Sequence, residues 1–177
     1  DTATSECFSL SVHSALRFLV LTIAAGTAAG TVTVSGAVSN VGDGTGASIT
    51  IASTGLVDFQ STVGANSGIV STAAGGSTKF QNNVTLVDGD TGSNFAGSVN
   101  FDGMDWSGFD GLTVQGASTL STGAVSLNSN GSAISLNTVN GAQDLTVTSG
   151  TGSVNIQGVI GGTTGLASLT VNSGGAT

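Results

Sequence analysis

Three phenylalanine residues recur at a regular interval in the middle of the chain. Phe59, Phe80 and Phe101 are equally spaced, and each ends a short segment whose central residue is polar. A polar residue between two core-type positions is the period-2 pattern of a strand with one buried face. Because one unit of about 20 residues cannot bury its own apolar face, such repeats must stack on their neighbours. The interval therefore predicts a repeat architecture.

The same pattern continues on both sides of these phenylalanines. Its further segments are Val32–Val34, Ile49–Ile51, Leu112–Val114, Val125–Leu127, Ile134–Leu136, Leu145–Val147, Val154–Ile156 and Leu169–Val171. Clusters of Gly, Ser, Thr and Asn separate the segments and are typical of turns. We predict an all-β, right-handed parallel β-helix (β-solenoid) with roughly 20–24 residues per coil and about eight coils. Phe59, Phe80 and Phe101 would stack inside it as an aromatic ladder.

Composition excludes several other classes of protein. The chain has 29 Gly and no Pro, and only 7% of its residues are charged. Soluble helices need charged faces, and disordered segments are rich in charge and Pro, so neither class fits. The absence of Pro suits a fold in which each coil donates backbone N–H groups to the next. A formal net charge of −8 repels phosphate backbones, so we predict no nucleic-acid partner.

Two segments depart from the repeat. Residues 1–30 match it only loosely, and we divide the chain into an atypical amino-terminal segment (1–30) and a β-helix (31–177). The apolar run at 14–25 resembles the core of a signal peptide, but it is too short for a membrane span, which takes about 20 residues. Its β-branched content predicts a buried strand, or a strand donated to a neighbouring subunit.

The second departure, at 102–110, predicts a loop that leaves the coil. This stretch brings acidic and aromatic residues into a chain dominated by Gly, Ser and Thr. Loops on a rigid scaffold are where binding residues tend to lie. We therefore expect Trp106 and Phe109 to form an interaction loop.

Side chains able to carry out catalysis are scarce. His13 is the one histidine and Cys7 the one cysteine, so any nucleophile–histidine arrangement would depend on His13. We predict that the protein is not an enzyme and has no catalytic or cofactor-binding residues. Two lower-ranked alternatives stay open. A polysaccharide-cleaving β-helix would use paired acids between 88 and 110, and an ice-binding surface would need a regular Thr array, whereas the mid-strand Thr residues here alternate with other types.

Calcium is the metal that the acidic residues suit best. The weak candidate ligands are Asp88, Asp90, Asp102 and Asp105. The first two lie in a Gly-rich turn, and carboxylate and carbonyl oxygens are the ligands that Ca²⁺ prefers. The match to a complete calcium loop is partial, and solvated turn aspartates are the alternative interpretation.

The repeats carry a resemblance to a family. The stretch 123–175, with its segments Val125–Leu127, Leu145–Val147 and Leu169–Val171, is similar to the strand repeats of filamentous-haemagglutinin-like exoproteins, and 31–38 looks similar too. These bacterial adhesins are exported by two-partner secretion or autotransporter routes. The resemblance implies a right-handed β-helix at the cell surface or outside the cell, an adhesive or scaffolding role, and host or cell-surface glycans as partners. It carries over no catalytic residues.

Taken together, these features predict a non-enzymatic, extracellular structural and adhesive rod that is a segment of a large secreted bacterial adhesin. The alternative is a subunit of a self-assembling extracellular filament, because neither end of the repeat shows a cap and uncapped coils invite edge pairing. Its partners would then be neighbouring subunits that seal the rod end to end.

Overall fold

The chain forms a parallel β-helix, which confirms the predicted fold class. A computed structural model describes residues 20–24, 30–42, 45–87, 91–108 and 110–177. Within them the chain makes twenty strands and no helix, and every strand pairing is parallel. Three strands in succession, one in each of three sheets, make one turn of chain, called a rung below.

Each sheet contains every third strand of the chain. Sheet 1 consists of β1 (Leu21–Ile23), β4 (Ile49–Ile51), β7 (Ile69–Ser71), β10 (Ser93–Phe95), β13 (Leu112–Val114), β16 (Ile134–Leu136) and β19 (Val154–Ile156). Sheet 2 consists of β2 (Thr31–Val34), β5 (Leu56–Phe59), β8 (Ser77–Phe80), β11 (Ser98–Asp102), β14 (Ser118–Ser121) and β17 (Val139–Asn140). Sheet 3 consists of β3 (Val38–Val41), β6 (Val63–Ala65), β9 (Val84–Leu86), β12 (Asp105–Ser107), β15 (Val125–Asn128), β18 (Asp144–Gly150) and β20 (Ser168–Ser173).

The strand register follows the sequence repeat. Phe59, Phe80 and Phe101 are successive Cα partners in sheet 2, so the interval between them is one rung. Elsewhere a rung varies in length. The chain from Phe95 to its partner Val114 is shorter than this interval, and the chain from Leu21 to its partner Ile49 is longer. Turn length therefore absorbs insertions without changing which side chains face inward.

Alternate residues of each strand fill a narrow apolar core. The rings of Phe59 and Phe80 stack with centroids 5.2 Å apart and planes 8° apart. Phe80 also meets Phe95 and Trp106 edge to face, and these rings come from the other two sheets. Phe101 is fully buried in register with Phe80. The aromatic contacts therefore run across the rod as well as along it.

Glycine is required where the backbones of successive rungs meet most closely. A Cβ at Gly97, at the corner between sheets 1 and 2, would lie 2.1 Å from the carbonyl oxygen of Gly76, one rung earlier. A Cβ at Gly116 would lie 2.5 Å from the same atom of Gly97. Backbone hydrogen bonds of 3.0 Å (Ser98 N–H to Gly76) and 3.2 Å (Gly116 N–H to Gly97) hold this glycine column together.

The structure changes both segment predictions. β1 pairs with β4 in sheet 1, so the solenoid already includes part of the segment predicted as atypical (1–30); residues 1–19 and 25–29 of that segment lie outside the described residues. The loop predicted at 102–110 is instead a part of the rung, because β11 runs to Asp102 and β12 begins at Asp105. Gly103, with φ of 57°, makes the tight corner that keeps β12 in register with its neighbours.

Candidate functional site

One ion pair ties successive rungs together on the outside of sheet 2. The Lys79 Nζ lies 2.8 Å from Asp102 Oδ2, and these residues belong to neighbouring strands β8 and β11. The other carboxylate oxygen, Oδ1, accepts hydrogen bonds from the hydroxyls of Ser121 (3.2 Å) and Thr122, on the next rung. Asp102 therefore links three rungs.

The surroundings of this pair favour the charged forms of both groups. Burial opposes ionisation of Asp102, but the hydrogen bonds from Lys79 and Thr122, with the Lys79 charge, outweigh it and hold the pKa of Asp102 below its ordinary value. The hydrogen bond to Asp102 raises the pKa of Lys79, although partial burial acts in the other direction. A carboxylate whose two oxygens are already engaged by protein donors stabilises the rod and is poorly suited to a metal ion.

The remaining calcium candidates do not join Asp102. Asp105 lies on β12 with an exposed side chain, and its backbone N–H donates to Asn83 Oδ1 at 3.0 Å. Asp88 and Asp90 lie outside the described residues. Within the described ranges, no three His, Cys, Asp or Glu side chains come close enough to hold a metal ion. His13 and Cys7 also lie outside these ranges.

Trp106 is a core residue, not part of an exposed interaction loop. It is the central residue of β12, it is 1% exposed, and its register partners in sheet 3 are Val84 and Leu127. Its indole Nε1–H has no hydrogen-bond partner in the structure, which is a cost accepted for filling the core. Phe109, the second predicted loop residue, lies outside the described residues. The prediction was wrong for Trp106 because an aromatic residue between Asp105 and Ser107 also fits the inward position of a strand.

The outward faces of the sheets are uncharged over much of their length. In sheet 3 one outward row runs Asp105, Ser126, Thr146 and Thr170 through successive strands. In sheet 1, Gln115 Nε2 donates to Asn94 Oδ1 one rung earlier, at 3.0 Å. Such rows offer amide and hydroxyl groups at the spacing of neighbouring strands, about 4.8 Å. They mix Ser, Thr, Asn and Asp, so they do not form a uniform threonine array.

The carboxyl-terminal end of the rod exposes residues of the core type. Leu169 and Val171 of β20 are 40% and 38% exposed, whereas their register partners Leu145 and Val147 in β18 are 1% and 0% exposed. Ile160 forms an isolated bridge with Val139 and is 43% exposed. An open groove crosses this end and is lined by Val154, Ile156, Val171, Ser173 and Thr177. The last rung therefore presents an apolar surface that interior rungs bury.

Sequence reasoning noted the lack of caps but did not identify this end face, defined by Ile156, Ile160, Leu169 and Val171. A signal for it was present. The last charged residue is Asp144, and every residue after it is uncharged. Edge strands are usually protected by charged side chains, so an uncharged final rung with core-type residues marks an edge that can pair.

Searches against protein-family models, curated proteins and solved structures found no match for this chain. The resemblance to filamentous-haemagglutinin-like repeats therefore remains an expectation from the sequence. In the part of the chain that the structure describes, no helix is long and apolar enough to cross a membrane.

Proposed function

We propose that the protein is a non-enzymatic structural and adhesive rod that acts outside the cell as a segment of a large secreted bacterial adhesin. The observation that supports this most directly is the continuity of the three parallel sheets from β1 to β20, with no break at the segment predicted to be a loop. A column of stacked rungs resists bending, because each rung is hydrogen-bonded to the next on three sides. This suits a spacer that holds a contact surface away from its point of attachment.

The outward rows supply the adhesive part of the proposal. Ser126 and Thr146 project from neighbouring strands of sheet 3, as register partners at an outward position. Hydroxyl and amide groups hydrogen-bond readily to sugar hydroxyls, and the acidic net charge of −8 favours neutral over acidic glycans. Neutral glycans on a host or bacterial surface are the proposed ligands.

Shape in solution tests the structural part. Small-angle X-ray scattering should show the asymmetric distance distribution of an elongated rod for the whole chain. A symmetric, globular distribution would contradict the proposal.

Glycan binding tests the adhesive part separately. The fluorescently labelled chain should bind a subset of neutral glycans on an array, and the double variant Ser126→Ala/Thr146→Ala should bind them at least 10-fold more weakly. Thr113→Ala removes an outward hydroxyl from sheet 1 and serves as the matched control, with binding unchanged. Absence of glycan binding by the parent chain, or equal loss in the control, would overturn the adhesive role.

A second candidate function is a subunit of a filament. The exposed end face favours it, because a rung of core-type residues invites a further rung, supplied either by a longer chain or by a neighbour. Analytical ultracentrifugation over a concentration series decides this point. Oligomers that keep growing with concentration would support the filament, and a species of fixed size would exclude it.

A further inference from the structure

The two ends of the rod differ in how much of their apolar surface is exposed. In the first rung, the inward residues Ile23, Val34 and Val38 are between 5% and 8% exposed. In the last rung, Ile160, Leu169 and Val171 are between 38% and 43% exposed. Among the described residues, the uncovered core surface is therefore concentrated at the carboxyl-terminal end.

The interior of the rod shows what chemistry covers such a surface. Leu145 and Val147 are buried because the next strand, β20, places Leu169 and Val171 directly against them. An occupant of the end face must therefore supply strand edges and apolar side chains at alternate positions. The end face of a second copy of this chain has these properties.

The charge distribution permits two such ends to meet. All ten acidic residues lie at or before Asp144, so the final rung is neutral although the chain as a whole carries a charge of −8. Two copies that approach through these ends therefore meet neutral, apolar surfaces, and their charged parts remain apart. The edge strand β20 contains Ser168–Ser173 and has no charged residue to discourage pairing.

We propose that two copies of this chain bind each other through the exposed end faces formed by Ile156, Ile160, Leu169 and Val171, giving a tail-to-tail dimer. The same surface on both copies makes a two-fold, self-complementary interface, which closes at two subunits. Edge strands that meet across a two-fold axis run antiparallel, an arrangement that supports regular hydrogen bonding. This inference goes beyond the proposed function, because it does not depend on adhesion.

The experiment compares two lysine substitutions on one strand. Val171→Lys places a charge in the end face, and Thr170→Lys places the same charge at the adjacent outward position. Sedimentation equilibrium should show the parent chain and Thr170→Lys as dimers of the 16.9 kDa chain, with Val171→Lys dissociating at least 10-fold more readily. Circular dichroism and the urea midpoint check that both variants keep the fold. A monomeric parent, or equal weakening by both substitutions, would overturn the proposal.

The orientation is tested with engineered cysteines in a Cys7→Ser background. Thr177→Cys, which lines the end groove, should cross-link under oxidation to a covalent dimer. Val20→Cys, an exposed position in the described part of the first rung, should not cross-link. Cross-linking through Val20→Cys alone, or growth beyond two subunits, would refute the tail-to-tail arrangement and favour head-to-tail assembly. A monomer with no cross-link would also refute it, and would favour a further rung of a longer protein as the occupant of the end face.

Discussion

The ring of Phe80 meets the indole of Trp106 edge to face, with centroids 5.6 Å apart and planes at 80°. The two residues belong to different sheets, β8 and β12, and both also contact Phe95 edge to face. This cluster fills the cross-section of the rod in its central rungs. Aromatic pairs of this kind each add about 0.5–1.5 kcal/mol beyond the area that they bury.

Trp106 makes the central core directly observable by fluorescence. The chain has one Trp and no Tyr, so its intrinsic emission reports on Trp106 alone when Trp is excited. Because Trp106 is 1% exposed, we expect blue-shifted emission that acrylamide quenches poorly in the folded state. Unfolding in guanidinium should shift the emission to the red and restore quenching. Emission typical of a solvated indole in the native protein would instead support the exposed interaction loop.

Removal of the Phe80 ring should destabilise the whole rod. Phe80→Ala leaves a cavity between Phe59, Phe95 and Trp106, and such truncations cost about 3–5 kcal/mol. Equilibrium unfolding in urea measures the loss. Val87→Ala, at a side chain that is 63% exposed, is the control and should change the free energy of unfolding by less than about 0.5 kcal/mol. Equal effects of the two substitutions would contradict this packing of the core.

The glycine column should tolerate no side chain at Gly97. A methyl group there would press on the Gly76 carbonyl, and relief requires two rungs to separate, at a cost of about 1–3 kcal/mol. Gly75→Ala is the matched control, because a Cβ at Gly75 meets nothing within 4 Å. It should leave stability unchanged or raise it by about 0.4–1 kcal/mol through the unfolded chain. Thermal melts of both variants test this pair, and a stable Gly97→Ala protein would exclude the close stacking at this corner.

The Asp102 ion pair predicts a defined pH dependence. Because the folded state lowers the pKa of Asp102, its ionised form stabilises the rod. That contribution is fully present above the ordinary value of 3.8 and is lost as the pH falls through the lower folded-state pKa. Asp102→Asn should therefore cost about 1–2 kcal/mol at neutral pH.

The difference between the parent chain and Asp102→Asn should shrink as the pH falls below 3.8, because both then lack the charge. Asp105→Asn removes an acid with an exposed side chain and should have little effect at any pH. Urea denaturation at a series of pH values provides the measurement. A constant difference down to the acid limit of the series would show that Asp102 acts through packing rather than through its charge.

Particular residues show what could be predicted for the site and what could not. Asp102 stands out in the sequence as one acid among five between 88 and 110, which favoured a metal site. Its partner Lys79 lies on the preceding rung, far from it along the chain, and only the register of β8 with β11 brings the two side chains together. The end face was hidden for a similar reason, because Leu169 and Val171 repeat the pattern of buried Leu145 and Val147. Only the stack shows that, among the described residues, no strand covers them.

The sequence by itself determined the architecture. Period-2 segments that recur at a nearly constant interval leave stacked parallel rungs as the way to bury their apolar faces, and the chain adopts that fold. The tertiary structure alone decided which residues meet across the rod. Repeat spacing specifies neighbours along one sheet, such as Phe59 and Phe80, but contacts between sheets, such as Phe80 with Trp106, depend on how each corner turns. Backbone geometry at positions such as Gly103 sets those corners, and the spacing of the repeat carries no information about it.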